Sequence, residues 1–421
     1  MNPQRITPFL FAIVVLFVAC QPEPPPKTVA FTGATVWDGT GAPARIADIL
    51  VVDGRIVEVG NPTIPSDATV YDFAGSWIIP GLVEAHAHVS GYWAPDAITD
   101  PAERLAEELG LYARYGVTTV SSLGDEPPEI RILRDSQDTP ALLRARVTYA
   151  GPVITAVTVE EALAAVAENA AADVDWMKIR VDDNLGTTTK MPWDAVQAVM
   201  DATHERGLRL ATHIFYLDDA KRLLRMGSNL IAHSIRDAEV DEELIGLLRE
   251  TGTCYVPTLT REVSTFVYGE RPDFFDEEFF RMGAKESEVA RLSEPAFMEA
   301  MRGSTAAALY REGLKVAQVN LKLLSDAGIP IAFGTDAGMP GRFPGYFEQL
   351  ELALMVRAGL TPEQALTSAT RVAAMCHEMP DVGTLEAGKW ADFLVLGSNP
   401  LEDISATQNL ERVFIAGNEL R

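Results

Sequence analysis

Two histidines one residue apart, His86-Ala87-His88, follow the apolar run Trp77-Ile78-Ile79-Pro80-Gly81-Leu82-Val83. On a strand, residues i and i+2 share a face, so both imidazoles aim at one point. Neutral imidazoles converging in this way suit a metal ion. The pair alone is only suggestive, but other potential ligands stand in similar places. His213 closes Leu210-Ala211-Thr212, His233 follows Ile231-Ala232, and Asp336 follows Phe333-Gly334-Thr335. Lys178 lies within Val174-Asp175-Trp176-Met177-Lys178-Ile179, where a lysine is costly unless it is used. Its bland alternative is a structural or substrate-binding lysine. His204 reads as an exposed helix residue and His377 as structural, so four of the six histidines end apolar runs.

The elements that must carry these residues alternate in character. Strand-like runs fall at 77–83, 117–123, 143–149, 175–181, 208–213, 230–233, 254–259 and 329–334. Amphipathic stretches such as 103–115 and 193–206 separate most of them. Alternation of this kind implies a parallel sheet, and eight such units fit a (β/α)8 TIM barrel with its site at the C-terminal strand ends. Shorter strands are expected at 28–36, 48–52, 55–59 and 69–73, with Asp53-Gly54 as a hairpin turn, and again at 392–396 and 410–416. They point to a small β-sandwich from both chain ends, 28–76 plus 388–421, flanking a barrel domain over 77–387. The stretch about 260–327 is too long for a plain loop. It reads as a helical insertion, either a lid or a surface excursion.

Pro80-Gly81-Leu82-Val83-Glu84-Ala85-His86-Ala87-His88, Gly334-Thr335-Asp336, Thr370 to Ala373, and Gly383-Thr384-Leu385-Glu386-Ala387-Gly388-Lys389-Trp390-Ala391-Asp392 together resemble the motifs of the amidohydrolase superfamily, in its imidazolonepropionase-related and prolidase-like branch. The resemblance implies a metal-dependent hydrolase with zinc as cofactor. His86, His88, Lys178 and Asp336 would hold one ion, and Lys178, His213 and His233 a second. Lys178 would bridge them as a carboxylated lysine, since an ammonium cannot ligate a cation. Asp336 would shuttle a proton from an activated water to the leaving nitrogen. A second version places one metal on His86, His88, His213 and Asp336, with His233 on the substrate. Deaminases of the superfamily carry glutamate where this chain has Tyr216, which leaves hydrolysis of a small amide or peptide-like bond in front. Lactone or phosphoester hydrolysis, or a solute-binding lipoprotein that lost its chemistry, are the alternatives.

A substrate with a free carboxylate could be held by Arg236, whose alternative is a salt bridge with a neighbour such as Asp237. Arg180 shares the parity of Lys178, and Tyr92, Tyr216 and Tyr255 could line the pocket. Asp182-Asp183-Asn184 reads as a polar loop. The net charge of −25 repels phosphate backbones and disfavours nucleic acid. Arg5, the apolar run Phe9 to Val18 and Phe17-Val18-Ala19-Cys20 read as a lipoprotein-type signal over 1–20 with lipidation at Cys20. A proline-rich tether over 21–27 follows. They predict a lipid-anchored, periplasm-facing protein of the cell envelope, with Gln21 favouring the outer membrane, and the likeness to similar enzymes implies a homo-oligomer. Cys254 and Cys376 could pair, but nothing in their spacing demands it, and they are expected to be buried free thiols.

Overall fold

The computed structural model describes residues 27–420. The expected signal, Cys20 and the tether as far as Pro26 lie outside the described residues.

The chain opens with β1 (Thr28–Val36), β2 (Arg45–Val52), β3 (Arg55–Gly60), β4 (Thr69–Asp72) and β5 (Trp77–Pro80). Asp53 and Gly54 both take positive φ, 46° and 78°, as the turn between β2 and β3 requires. The run expected as one strand over 77–83 is broken at Gly81. A Cβ there would lie 2.1 Å from the Thr118 hydroxyl, so the chain turns at the one residue that fits, and a new strand begins.

That strand, β6 (Leu82–Ala87), starts a parallel series with β7 (Val117–Ser122) and β8 (Arg146–Thr148). A second parallel series holds β9 (Trp176–Arg180), β10 (Arg209–His213), β11 (Leu230–Ala232) and β12 (Cys254–Val256). An isolated bridge from Ile154 to Ile179 links the two series. The run expected as the last strand makes only the bridge Ile331–Tyr255, yet Phe333 O accepts from Ala85 N at 2.8 Å on β6. The strands are buried almost throughout, with helices over the outer face. The helix Pro101–Arg114, for example, buries Leu105, Leu109 and Tyr112, and Asp100 caps it by accepting from Glu103 N.

The chain closes with β13 (Phe393–Leu396), β14 (Leu410–Ile415) and β15 (Asn418–Glu419). They join the opening strands in one mixed sheet, ordered β15-β14-β13-β5-β1-β2-β3, with β4 beside β1. Phe31 meets Phe393 and Phe414 edge-on, at 4.8 Å between centroids in each case. Burial of each such ring contributes about 1.5–3 kcal/mol, so the two chain ends hold one another.

The insertion is a packed wall. Phe275, Phe280 and Phe343 are buried together, Tyr115 Oη donates to Phe280 O at 2.8 Å, and Tyr268 Oη donates to Gly341 O. The long helix Thr305–Asp326 returns the chain to the parallel series. Cys254 and Cys376 are disulfide-bonded, with Cα atoms 6.0 Å apart across 122 residues of sequence. This corrects the expectation of free thiols: the fold brings β12 and the last helical turn together, which their spacing does not announce.

Candidate active site

The C-terminal ends of the parallel strands bring the expected ligands together. His86 and His88 follow one another on β6 and just beyond it. Lys178 lies on β9, His213 ends β10, and His233 follows β11. Asp336 follows the Ile331 segment, in a backbone with φ of 62°. Two contacts fix that turn against β6. Asp336 N donates to His86 O at 2.6 Å, and a Cβ on Gly338 would strike His88 O at 1.8 Å.

The donor atoms converge. Single donor atoms of His86, His88 and Asp336 all lie within 4.8 Å of one another. His88 Nε2 is 2.9 Å from Asp336 Oδ1, and His86 Nε2 is 3.5 Å from the same oxygen. Lys178 Nζ is 3.0 Å from His86 Nε2, and His233 Nε2 is 2.8 Å from His213 Nδ1. The far ring nitrogens are held in turn: His88 Nδ1 donates to Gly124 O at 2.8 Å, and His233 Nδ1 sits 2.7 Å from Thr258 Oγ1. Outer partners of this kind orient an imidazole and fix its tautomer.

Electrostatics keep most of the set in ligating form. Burial pushes His213 down to about 4, against the opposing pull of Asp182. Burial likewise holds His86 and His233 well below the ordinary imidazole range. His88 is the exception, because its bond to Asp336 outweighs burial and raises it. Burial would raise the Asp336 carboxyl, but the Arg342 charge and the His88 bond hold it well below its usual range. Burial lowers Lys178 to about 7, so a large share of its amine is neutral and nucleophilic near neutral pH. Three imidazoles of suppressed basicity, His88 against the ionised Asp336 and a lysine amine of lowered basicity in one buried cluster form a donor set that fits a divalent metal.

A cavity of about 420 Å³ opens onto this cluster, lined also by Leu123, Asp125, Val153, Thr155, Arg180, Arg261, Met339 and Arg342. The expected substrate contacts mostly lie elsewhere. Arg236 is fully buried, paired with Glu262 and donating to Ile214 O, so it is spent within the wall. The Tyr92 and Tyr216 hydroxyls donate to Glu288 at 2.9 Å and Asp183 at 2.8 Å, and neither ring lines the cavity. Tyr255 is wholly buried, its hydroxyl accepting from Ile235 N. Arg180 does line the cavity. His204 binds Asn229, and His377 is buried against Trp176, outside the lining of the cavity.

Four residues that the sequence reading passed over belong here. Asp182, read as part of a polar loop, lies 3.3 Å from His213 Nε2. Arg342 pairs with Asp336, and Arg261 Nε lies 3.8 Å from it. Glu84, buried, accepts from His86 N at 2.6 Å and Thr335 N at 3.1 Å, tying the two motifs together. Glu84 and Asp182 were within reach of the strand-end rule, since both lie two residues from strand positions already weighed.

The amidohydrolase family model matches residues 77–420. An uncharacterized protein of Mycobacterium tuberculosis is 30% identical over 90% of this chain and 94% of its own. The imidazolonepropionase of Deinococcus deserti is 26% identical over 86% of this chain and 88% of its own. A Xaa-Pro dipeptidase solved with methionine in its active site superposes with a TM-score of 0.72 at 23% identity, covering 94% of this chain and all of the other.

Proposed function

The chain belongs to the amidohydrolase family and is a hydrolase acting on carbon–nitrogen bonds, and from that premise we propose that it cleaves a small amide at the cluster around His86, His88, Lys178, His213, His233 and Asp336. The observation that carries this reading is the convergence of those side chains from separate strand ends in one buried place.

In this reading His86, His88 and Asp336 would hold one divalent ion and His213 and His233 a second, with carboxylated Lys178 completing the donor set. Zinc held there supplies Lewis acidity and a water of lowered pKa. The protein's own part is positional. Asp336, ionised before substrate arrives, accepts a proton from the attacking water and hands it to the departing nitrogen. His88 and Arg342 hold its carboxylate in place, and Thr258 and Gly124 fix the rings of His233 and His88. The buried floor limits bulk water to the cavity mouth.

The fold reading goes with it. The bridges at Ile154–Ile179 and Ile331–Tyr255 and the Phe333–Ala85 hydrogen bond support a closed (β/α)8 barrel over 77–387. The mixed sheet supports a satellite sandwich domain of 28–76 plus 388–421. The buried disulfide supports export to an oxidising compartment, in keeping with a lipid-anchored protein of the cell envelope.

Elemental analysis of protein purified without chelators, with intact mass before and after acid treatment, tests the site. Two zinc ions per chain and an acid-labile mass of one CO₂ are expected. One ion and no labile mass would favour the single-metal version, with His233 on the substrate. No metal, even after reconstitution, would sink the reading.

A further inference from the structure

The N-terminal ends of the parallel strands border a second cavity, of about 170 Å³, which shares no lining residue with the one at the strand tips. Thr119 on β7 and Arg146, the first residue of β8, are register partners in its floor. Their side chains therefore stand next to one another on one face of the sheet. Met379, Val382 and the Trp390 ring supply an apolar wall.

Two polar atoms of that floor are unspent. Among the described residues, neither Arg146 Nη2 nor Thr119 Oγ1 has a hydrogen-bond partner, although both atoms are buried. The rest of the Arg146 head is committed. Its Nε lies 2.8 Å from Asp392 Oδ2, and its Nη1 donates to Gln137 O at 2.9 Å. The guanidinium carbon lies 4.1 Å from the Trp390 ring centroid, which holds the head in place. A buried donor without a partner is costly, and a ligand that completes it removes the cost.

Charge selects the ligand. Arg55 lies 2.8 Å from Asp381 and 3.9 Å from Asp138 at the rim, and Asp392 neutralises Arg146. Two guanidiniums among three carboxylates repel a further anion, and an unspent N–H on a guanidinium repels a cation. A neutral carboxamide suits both free atoms. Its oxygen accepts from Arg146 Nη2, and its N–H donates to Thr119 Oγ1. An apolar cavity of about 150 Å³ admits benzene, so this one has room for a ring bearing that single group.

We infer that the N-terminal ends of β7 and β8 carry a second, non-catalytic site, which binds a small uncharged carboxamide with an apolar body. The carboxamide lies on Thr119 and Arg146, and the body packs against Met379, Val382 and Trp390. No histidine, cysteine or lysine lines the cavity among the described residues, so the amide meets no activated nucleophile and is held uncleaved.

Calorimetry of the purified protein with benzamide, benzoate and benzylamine tests the site, since the three have similar shapes and different charges. Benzamide should bind at least about tenfold more tightly than either charged compound. Thr119→Val removes only the hydroxyl and should weaken benzamide about fivefold. Thr119→Met sends a longer chain into the cavity and should abolish that binding, whereas Asp336→Asn at the strand tips should leave it unchanged. No saturable binding up to about 10 mM would leave the cavity to water and overturn the inference. Benzoate or benzylamine binding as tightly as benzamide would overturn it too, as would binding that survives in a Thr119→Met protein with a wild-type melting curve. If Thr119→Met does not fold, Thr119→Val decides: weakening of about threefold or more supports the site, and unchanged binding overturns it.

Discussion

Both ends of the parallel strands bury a histidine whose basicity is suppressed, yet the two ends differ in kind. At the C-terminal end, burial takes His213 down to about 4. At the opposite end, burial with help from Arg209 takes His377 down to about 3. The first ring faces His233, Asp182 and the neighbours of Lys178. The second packs 4.8 Å from the Trp176 ring, beside the Cys254–Cys376 disulfide, with both nitrogens unpartnered. A suppressed pKa therefore reports burial at both ends. Chemistry is marked by the convergence of several donors from different strands, which one end has and the other lacks.

The sharpest way to break this contrast is Asp336→Asn. It keeps the shape and removes the proton acceptor, so kcat should fall about 10³-fold while thermal stability changes little. Steady-state kinetics and a melting curve check it, and a loss below tenfold would deny the tip end its chemistry. At the other end, Cys254→Ser should do the reverse. Unfolding in denaturant should show a loss of about 2–4 kcal/mol, with activity at 25 °C nearly unchanged. A parallel fall in activity would show the two ends to be coupled. At neutral pH the smallest effect is expected from His377→Phe. The unfolded chain binds a proton at this residue below its ordinary value of 6.5, whereas the folded chain does so only near 3. Stability conferred by the neutral ring is thus complete above 6.5 and declines as pH falls toward 3, by up to about 1.4 kcal/mol per pH unit. The phenylalanine variant should flatten that slope and match the wild type at pH 8. An unchanged slope would put the acid sensitivity elsewhere.

Much of the tip end could be read from the chain alone, because a parallel strand that ends in a histidine or aspartate displays it in one direction. His86, His88, His213, His233 and Asp336 were singled out by that rule, and Lys178 by the cost of a lysine inside an apolar strand. Arg261 and Arg342 were not, since each follows its strand by several residues and its direction is set by how the insertion packs. Arg236 was left between a substrate carboxylate and a salt bridge with a neighbour, and the bridge it makes goes to Glu262, its neighbour only in space. The disulfide escaped because two cysteines 122 residues apart carry no sign of proximity. The break at Gly81 escaped because the crowding comes from Thr118 on another strand. The hairpin at Asp53-Gly54 needed only local backbone geometry, and the sequence showed it directly.

The mixed sheet sets a timetable for making the protein. β5 ends at Pro80, and its antiparallel neighbour β13 begins only at Phe393. At ribosomal speeds of about 5–20 residues per second, the opening strands wait on the order of half a minute for the partner that completes their sheet. Through that interval the edge of β5 stays open to mispairing, and residues 28–80 must remain available for the strands that begin at Phe393.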